Sequence, residues 1–231
     1  MMQPLNARNQ KEMIILLHGI GHTRLNMLGL AWALRRAGYA TRCITYPSTR
    51  LNITDNAHWL SRCHLGQDFW NNQTRVHFVC HSMGGLVAGA YLDLIKDTIS
   101  HIKTGKVILL GPPHHGSRIA DFLKNFILYR WFFGPAGQEL TTTARALSTI
   151  KPYYHLGIIA GTKGWFYPVA HLLMKCNAHQ HDGRVTINST KIDGMTDHIC
   201  VSVTHSFMMW NPSVFKNILL FLKNGSFSHD Q

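Results

Sequence analysis

The segment His81-Ser82-Met83-Gly84-Gly85 follows the apolar run Val76-His77-Phe78-Val79-Cys80 with no spacer. An apolar run that stops at a serine and passes at once into small residues predicts a strand, a sharp turn and a helix, with the hydroxyl at the apex. A serine held there stands clear of its own backbone. An imidazole can take its proton on one side while a carbonyl carbon approaches on the other, which is the arrangement nucleophilic acyl transfer needs. The plainer alternative is a serine that only caps the helix. One departure bears on the turn. Cys80 stands where G-x-S-x-G has its first glycine, so a Cβ must be accommodated there.

A nucleophilic serine requires a base, an acid that orients the base, and donors for the developing oxyanion. The base belongs in a loop after a late strand. Ile199-Cys200-Val201-Ser202-Val203 has the β-branched content of a strand, and Thr204-His205-Ser206 breaks it. A helix follows, capped by Asn211 with Pro212 in first position, and Val214, Phe215, Ile218, Leu219 and Leu222 recur at its period until Asn224-Gly225. Among 16 histidines it is this position that singles out His205. The acid is drawn from few residues, since the chain has only 11 carboxylates. Between Ser82 and His205 lie Asp93, Asp97, Asp121, Glu139, Asp182, Asp193 and Asp197. Asp93 and Asp97 fall on the solvent side of the helix after Ser82, and Asp121 falls in a helix beginning near Ser117. Asp193-Gly194 is a turn pair and Asp197 lies close to His198. Asp182-Gly183 follows the strand-like Leu156-Gly157-Ile158-Ile159-Ala160 and a long loop, which suits an orienting acid best; its plainer reading is a turn aspartate bonded to its own backbone. For the oxyanion, Met13-Ile14-Ile15-Leu16-Leu17 reads as a buried strand running into His18-Gly19-Ile20-Gly21-His22. The N–H of Ile20, paired with that of Met83 at the helix start, would supply two donors.

These parts must share one edge of a sheet. Leu25 to Arg36 is amphipathic, Tyr39 to Tyr46 reads as a strand, Thr54 to Phe69 as a helix, and Lys106 to Leu110 as a further strand. Strands alternating with helices predict a parallel sheet covered on both faces, with its site outside the carboxyl ends of the strands. At 231 residues the chain is expected to form a single domain, 1–231. Two apolar insertions stand apart. Phe122 to Gly137 carries Phe122, Phe126, Tyr129, Trp131, Phe132 and Phe133, and Trp165-Phe166-Tyr167-Pro168 is followed by Leu172, Leu173 and Met174. They could pack as core helices, or form cap segments over 117–150 and 162–180 that line a pocket for a hydrophobic acyl group.

Composition bounds the rest. No window reaches the ~18 uninterrupted apolar residues of a membrane span. Met1 to Lys11 is polar and lacks a secretory core, and five cysteines without framework spacing read as reduced thiols, so a cytoplasmic protein is expected. The net charge of +12 comes from scattered Lys and Arg with no aromatic-interleaved block. That argues against a nucleic-acid groove and suits peripheral contact with an anionic membrane surface, or acidic acyl donors. Cys176, His179 and His181, with His198 and Cys200 further on, tempt a zinc reading, but the spacing matches no structural site and no metal is expected.

The stretches Leu17-His18-Gly19-Ile20-Gly21-His22-Thr23, Cys80 to Gly85, Leu110-Gly111-Pro112-Pro113-His114-His115-Gly116-Ser117, His181-Asp182-Gly183-Arg184-Val185 and Val203-Thr204-His205 together resemble the α/β-hydrolase family, in particular its small bacterial lipase- and esterase-like members. The resemblance spans residues 13–223. It implies a mostly parallel sheet of eight or fewer strands and acyl transfer to water, and it supports Asp182, since Asp-Gly-x-Val recurs at the acid turn of such lipases. The family also includes members with dead sites and members that transfer acyl groups to acceptors other than water. The expectation is therefore a serine hydrolase of lipid-like or medium-chain carboxylic esters, with Ser82, Asp182 and His205 as its triad and Ile20 and Met83 at the oxyanion. His18, His81, His114, Phe132 and Trp165 are expected to contact substrate, and no cofactor is expected. The rivals are an acyltransferase or thioesterase using the same triad, and a non-catalytic binding protein of the same fold.

Overall fold

Side chains alternate between two buried faces along each strand, and this sets the layers of the fold. The computed structural model describes residues 12–146, 151–164 and 180–229. Among these, six strands form one sheet: β1 (Glu12–Leu17), β2 (Ala40–Ile44), β3 (Arg75–His81), β4 (Thr104–Leu110), β5 (Leu156–Gly161) and β6 (Asp197–Val201). Their order is β2-β1-β3-β4-β5-β6 and every pairing is parallel. Ile15, Leu17, Phe78, Cys80, Val107, Leu109 and Ile158 point to one face, Ile14, Leu16, Val79, Ile108, Leu110 and Ile159 to the other, and all are buried. A parallel sheet must be covered on both sides, which is why its strands read as continuous apolar runs.

The first face is covered by α2 (Ile53–Cys63), α3 (Gln67–Asn71) and α4 (Met83–Ile95), through Leu60, Trp70, Val87 and Tyr91. The second is covered by α1 (Leu28–Arg36) and by the helix Pro212–Asn224, through Leu30, Leu34, Val214, Ile218 and Phe221. That last helix has the expected ends. Asn211 Oδ1 accepts from the N–H groups of Ser213 and Val214 at 2.9 and 3.1 Å, and Gly225 leaves it at φ 81°. Among the described residues no helix is long and apolar enough to cross a membrane.

The strand order carries the functional consequence. β2 lies on one side of β1 and β3 on the other, so successive connections diverge between β1 and β3 and leave a crevice at their carboxyl ends. The turn after β3 and the loop after β1 meet there. A Cβ built on Gly19 would lie 3.2 Å from Ser82 Cβ, and one on Gly84 would lie 2.5 Å from the His18 carbonyl oxygen. Only glycine at position 84 lets α4 start this close to the end of β1.

Strand ends differ from the sequence reading wherever a partner sets them. β2 stops at Ile44 because β1 ends opposite it, at Leu17. β6 runs Asp197–Val201, two residues earlier than expected, because it pairs with β5 from Gly157 to Gly161. The stretch Thr54 to Phe69 divides into α2 and α3, with Gly66 opening the second in extended backbone.

Candidate active site

β3 ends at His81, and the backbone then turns through Ser82 at φ 54° and ψ −127°. Ser82 is the one non-glycine with positive φ among the described residues. Such a conformation costs on the order of 1–3 kcal/mol. Three features hold it in place. The Ser82 N–H donates to the Leu110 carbonyl at 2.8 Å, the Ser82 carbonyl accepts from the Gly85 N–H at 2.9 Å, and α4 packs through its whole length into the core. Cys80 does not prevent the turn. It still lies within β3, in ordinary register with Leu17 and Leu109, with its thiol buried in the first core layer. Burial pushes that thiol well above the usual cysteine range, so it stays a protonated, inert packing group.

The described residues bring Ser82, His205 and Asp182 together across 123 positions of sequence. Ser82 Oγ lies 2.9 Å from His205 Nε2, and His205 Nδ1 lies 2.7 Å from Asp182 Oδ2. A carboxylate only accepts, so Nδ1 carries the imidazole proton and donates it to Asp182, leaving Nε2 as the acceptor for the serine O–H. Asp182 is fixed by its own turn: Oδ1 accepts from the N–H groups of Arg184 and Val185 at 2.9 and 2.8 Å, so only Oδ2 remains for the imidazole. The His205 N–H also donates to the Asp182 carbonyl at 2.9 Å, tying the two loops by backbone as well as side chain. His205 and Asp182 are almost wholly buried, and Ser82 keeps 8% of its surface exposed. A nucleophile that keeps a little exposed surface beside a dry acid–base pair is an arrangement suited to acyl transfer.

The other acids lie elsewhere. Asp93 and Asp97 are exposed at the far end of α4, and Asp197 accepts from Phe227 and His229. Asp121 receives the N–H and hydroxyl of Thr142 at 2.9 and 2.8 Å, and Glu139 receives the N–H of Ile53 at 2.8 Å.

Three histidines expected at the substrate are buried. His18 is fully buried and stacked on Tyr46, with ring centroids 4.4 Å apart. Its Nδ1 donates to the Gly19 carbonyl at 2.8 Å and its Nε2 accepts from the Tyr46 N–H at 3.3 Å, so neither nitrogen is left for a ligand. Burial lowers its pKa to about 4 and keeps it neutral. His81 donates from Nε2 to the His205 carbonyl at 3.0 Å, which steadies the loop carrying the imidazole; burial holds it well below the usual histidine range. His114, lowered to about 4 chiefly by burial and then by the Arg145 cation, packs against His115 in the loop after β4.

Ile20 and Phe132, by contrast, do line a cavity. It has a volume of about 780 Å³ and lies between the loops after β1 and β2, under Phe132 and Phe133. Ser82 and His205 are not among its walls. Ile20 is, and it follows Gly19, whose backbone lies close against Ser82. The first aromatic insertion forms α5 (Arg118–Leu123) and α6 (Ile127–Glu139), the latter broken at Gly134, where φ is 55° and any Cβ would collide with the Thr49 carbonyl. Trp165, the rest of the second insertion, and Cys176 to His179 lie outside the described residues.

Two supporting residues escaped the sequence reading. A Cβ on Gly111, at φ 58°, would meet both Asp182 Oδ2 and His205 Nδ1 at 3.1 Å, so this glycine makes room for the acid–base pair. Tyr46 donates its hydroxyl to the His18 carbonyl at 2.7 Å and fixes the loop that carries Ile20. The Gly-Pro-Pro after β4 was the available signal for the first; nothing local marks the second.

The sequence pattern of the alpha/beta hydrolase family matches residues 14–197. None of the curated proteins matches this sequence. Among solved structures, the chain is similar to the Bacillus licheniformis lipase BlEst2 in its propeptide form, at 18% identity and a TM-score of 0.74 over 99% of this chain. It spans only about half of that protein, 54% of its chain. It is also similar to the metagenomic carboxyl esterase MGS0156 (18% identity, TM-score 0.67, 87% of this chain and 67% of that one). A third likeness is to YbtT, a type II thioesterase of the yersiniabactin pathway (14% identity, TM-score 0.60, 98% of both chains). At these identities the likeness is one of fold.

Proposed function

The chain belongs to the alpha/beta hydrolase family, and on that premise we propose that it is a serine hydrolase of carboxylic esters. The observation that carries this reading is the pair of contacts from Ser82 through His205 to Asp182, at 2.9 and 2.7 Å. Ser82 Oγ bonds to the ester carbonyl carbon as its proton passes to His205 Nε2. The N–H groups of Ile20 and Met83 hold the oxyanion. The tetrahedral adduct collapses, the imidazolium gives its proton to the departing alkoxide, and an acyl-serine remains. Water repeats the sequence, releasing the acid and restoring the hydroxyl. Asp182 keeps its charge throughout and steadies the imidazolium.

The same contact argues against a non-catalytic binding role, which would leave the serine without a base. The apolar wall of the cavity, with Ile20, Trp59, Phe132 and Phe133, suits a lipid-like or medium-chain acyl group. We read 1–231 as one hydrolase domain in which 117–150 and 162–180 act as its cap. The test is turnover of para-nitrophenyl esters of rising acyl length beside the matching acyl thioesters. A maximum at medium chains with Ser82-dependent turnover is the expected result. A clear preference for thioesters would favour the thioesterase reading, to which the likeness to YbtT lends fold-level support.

The cap also bears on where the protein works. Trp131 and Ile127 are 77% and 81% exposed, and Phe122, Phe126, Leu128 and Phe132 are exposed beside them. Lys124 and Arg130 fall within the same stretch of sequence, while Asp121 and Glu139 accept from the N–H groups of Thr142 and Ile53. Exposed aromatic and aliphatic side chains within a cationic frame suit peripheral binding to an anionic bilayer. Sedimentation with phosphatidylglycerol vesicles should carry the protein down, phosphatidylcholine vesicles should carry far less, and an Ile127→Ser, Trp131→Ser variant should remain in solution. Equal behaviour of variant and wild type would rule this face out.

A further inference from the structure

The cavity that Ile20 lines combines apolar walls with two guanidinium groups and no carboxylate. Arg50, from the loop after β2, and Arg184, from the acid turn, both line it. Neither forms an ion pair with a carboxylate among the described residues. The placement of Arg184 is not incidental. Its N–H donates to Asp182 Oδ1 at 2.9 Å and its carbonyl accepts from Ser117 Oγ at 2.7 Å, so the turn that fixes the acid also fixes this residue at both ends of its peptide. His22 is another wall of the cavity and feels the charges of both Arg184 and His205. Burial, then the charges of Arg184 and His205, lower its pKa and keep it neutral. Three carboxylates of the acid turn and the α5–α6 segment are engaged: Asp182 with His205, Glu139 with Ile53, Asp121 with Thr142. Two cations in one concavity, without a carboxylate partner among the described residues, raise the local concentration of anions and offer charge-assisted hydrogen bonds to them.

The geometry points to an anionic group on the substrate: the arm of the ester that enters this cavity ends in a phosphate or carboxylate, held by Arg184 and Arg50 with its methylenes along Trp59, Phe132 and Phe133. This deepens the ester-hydrolase reading and rests on it. It narrows the substrate from apolar esters in general to anionic amphiphilic ones. It also makes Arg184 and Arg50 specificity-determining residues outside the triad.

Binding is measured first, where no turnover is needed. Octyl phosphate, octanoate and octanol are titrated into Ser82→Ala, and into the same protein carrying Arg50→Gln and Arg184→Gln. Charged hydrogen bonds partly screened at an open site should make the preferred anion bind about tenfold tighter than octanol. The order of octyl phosphate and octanoate identifies which anion the site takes. Replacing both arginines should abolish the difference and leave octanol unchanged. Equal binding of all three compounds, or a preference that survives loss of both arginines, would overturn the proposal. Wild-type turnover is then compared for para-nitrophenyl hexanoate and para-nitrophenyl hydrogen adipate, and for a monoacylglycerol and its phosphate. Ser82-dependent turnover without any charge preference in binding would sink the anion site and leave the hydrolase. Arginine-dependent anion binding without turnover of any ester or thioester would sink the hydrolase and leave the site.

Discussion

Replacing Ser82 with alanine is expected to lower kcat on the order of 10^6-fold, with the fold retained. The size follows from the roles of the groups. Without Oγ there is no covalent step, His205 has no serine hydroxyl to deprotonate, and only the oxyanion donors remain to stabilise direct attack of water on the carbonyl. The fold should survive because Ser82 is held through its backbone, by the Leu110 carbonyl and the Gly85 N–H, and not through its side chain. Alanine keeps the same Cβ at φ 54° and adds no new strain. KM should change little if binding is carried by the cavity walls. Steady-state kinetics on the best ester of the chain-length panel, with thermal unfolding as the control, measures both. Loss of less than a hundredfold, with the fold intact, would mean that the nucleophile is elsewhere.

Asp182→Asn is expected to cost about 10^4-fold in kcat, a large effect for the change of one oxygen to a nitrogen. The hydrogen bonds around the carboxylate explain why. Oδ1 accepts from the N–H groups of Arg184 and Val185, so the amide oxygen must take that place and the NH2 must face His205 Nδ1. A donor there forces Nδ1 to accept and moves the imidazole proton to Nε2. His205 then presents a proton to Ser82 Oγ instead of a lone pair, and its base function is lost although every atom stays in place. The imidazolium formed during turnover also loses its counter-charge. Little change in KM should accompany the fall in kcat. A variant that retains more than a tenth of wild-type kcat would remove Asp182 from the acid role and return Asp193 and Asp197 to consideration.

Much of this site can be read in the sequence because its signals are local. The apolar run into His81-Ser82-Met83-Gly84-Gly85 marks a strand and helix joined with no residues to spare. The His205 loop is bracketed by a β-branched run and by a helix with Asn211 and Pro212 at its start. Asp182 is partly legible as a turn aspartate. Its hydrogen bonds to its own turn, the feature that makes it look merely structural, are what aim its second oxygen at the imidazole. What the sequence hides is long-range. The extent of β6 depends on its register with β5, which no local pattern encodes. His18 looks like a ligand-facing histidine after a strand, yet Tyr46, 28 residues later, takes up its ring and carbonyl. Gly111 matters only because two loops from distant parts of the chain converge on it. The pairing of Arg50 with Arg184 in one cavity depends likewise on the sheet order, which sets the loop after β2 beside the crevice between β1 and β3.

The central claim is that Ser82 is a nucleophile activated by His205. Its most direct test is reaction of the wild-type protein with a fluorophosphonate, followed by intact mass, with Ser82→Ala alongside. The serine oxygen displaces fluoride from phosphorus only if its proton is taken as it attacks, so the reaction reports activation without any assumption about the natural ester. The account predicts one adduct per chain on the wild type, sited at Ser82, and none on Ser82→Ala. A folded wild-type protein that stays unlabelled, or an adduct that persists in Ser82→Ala, would contradict it.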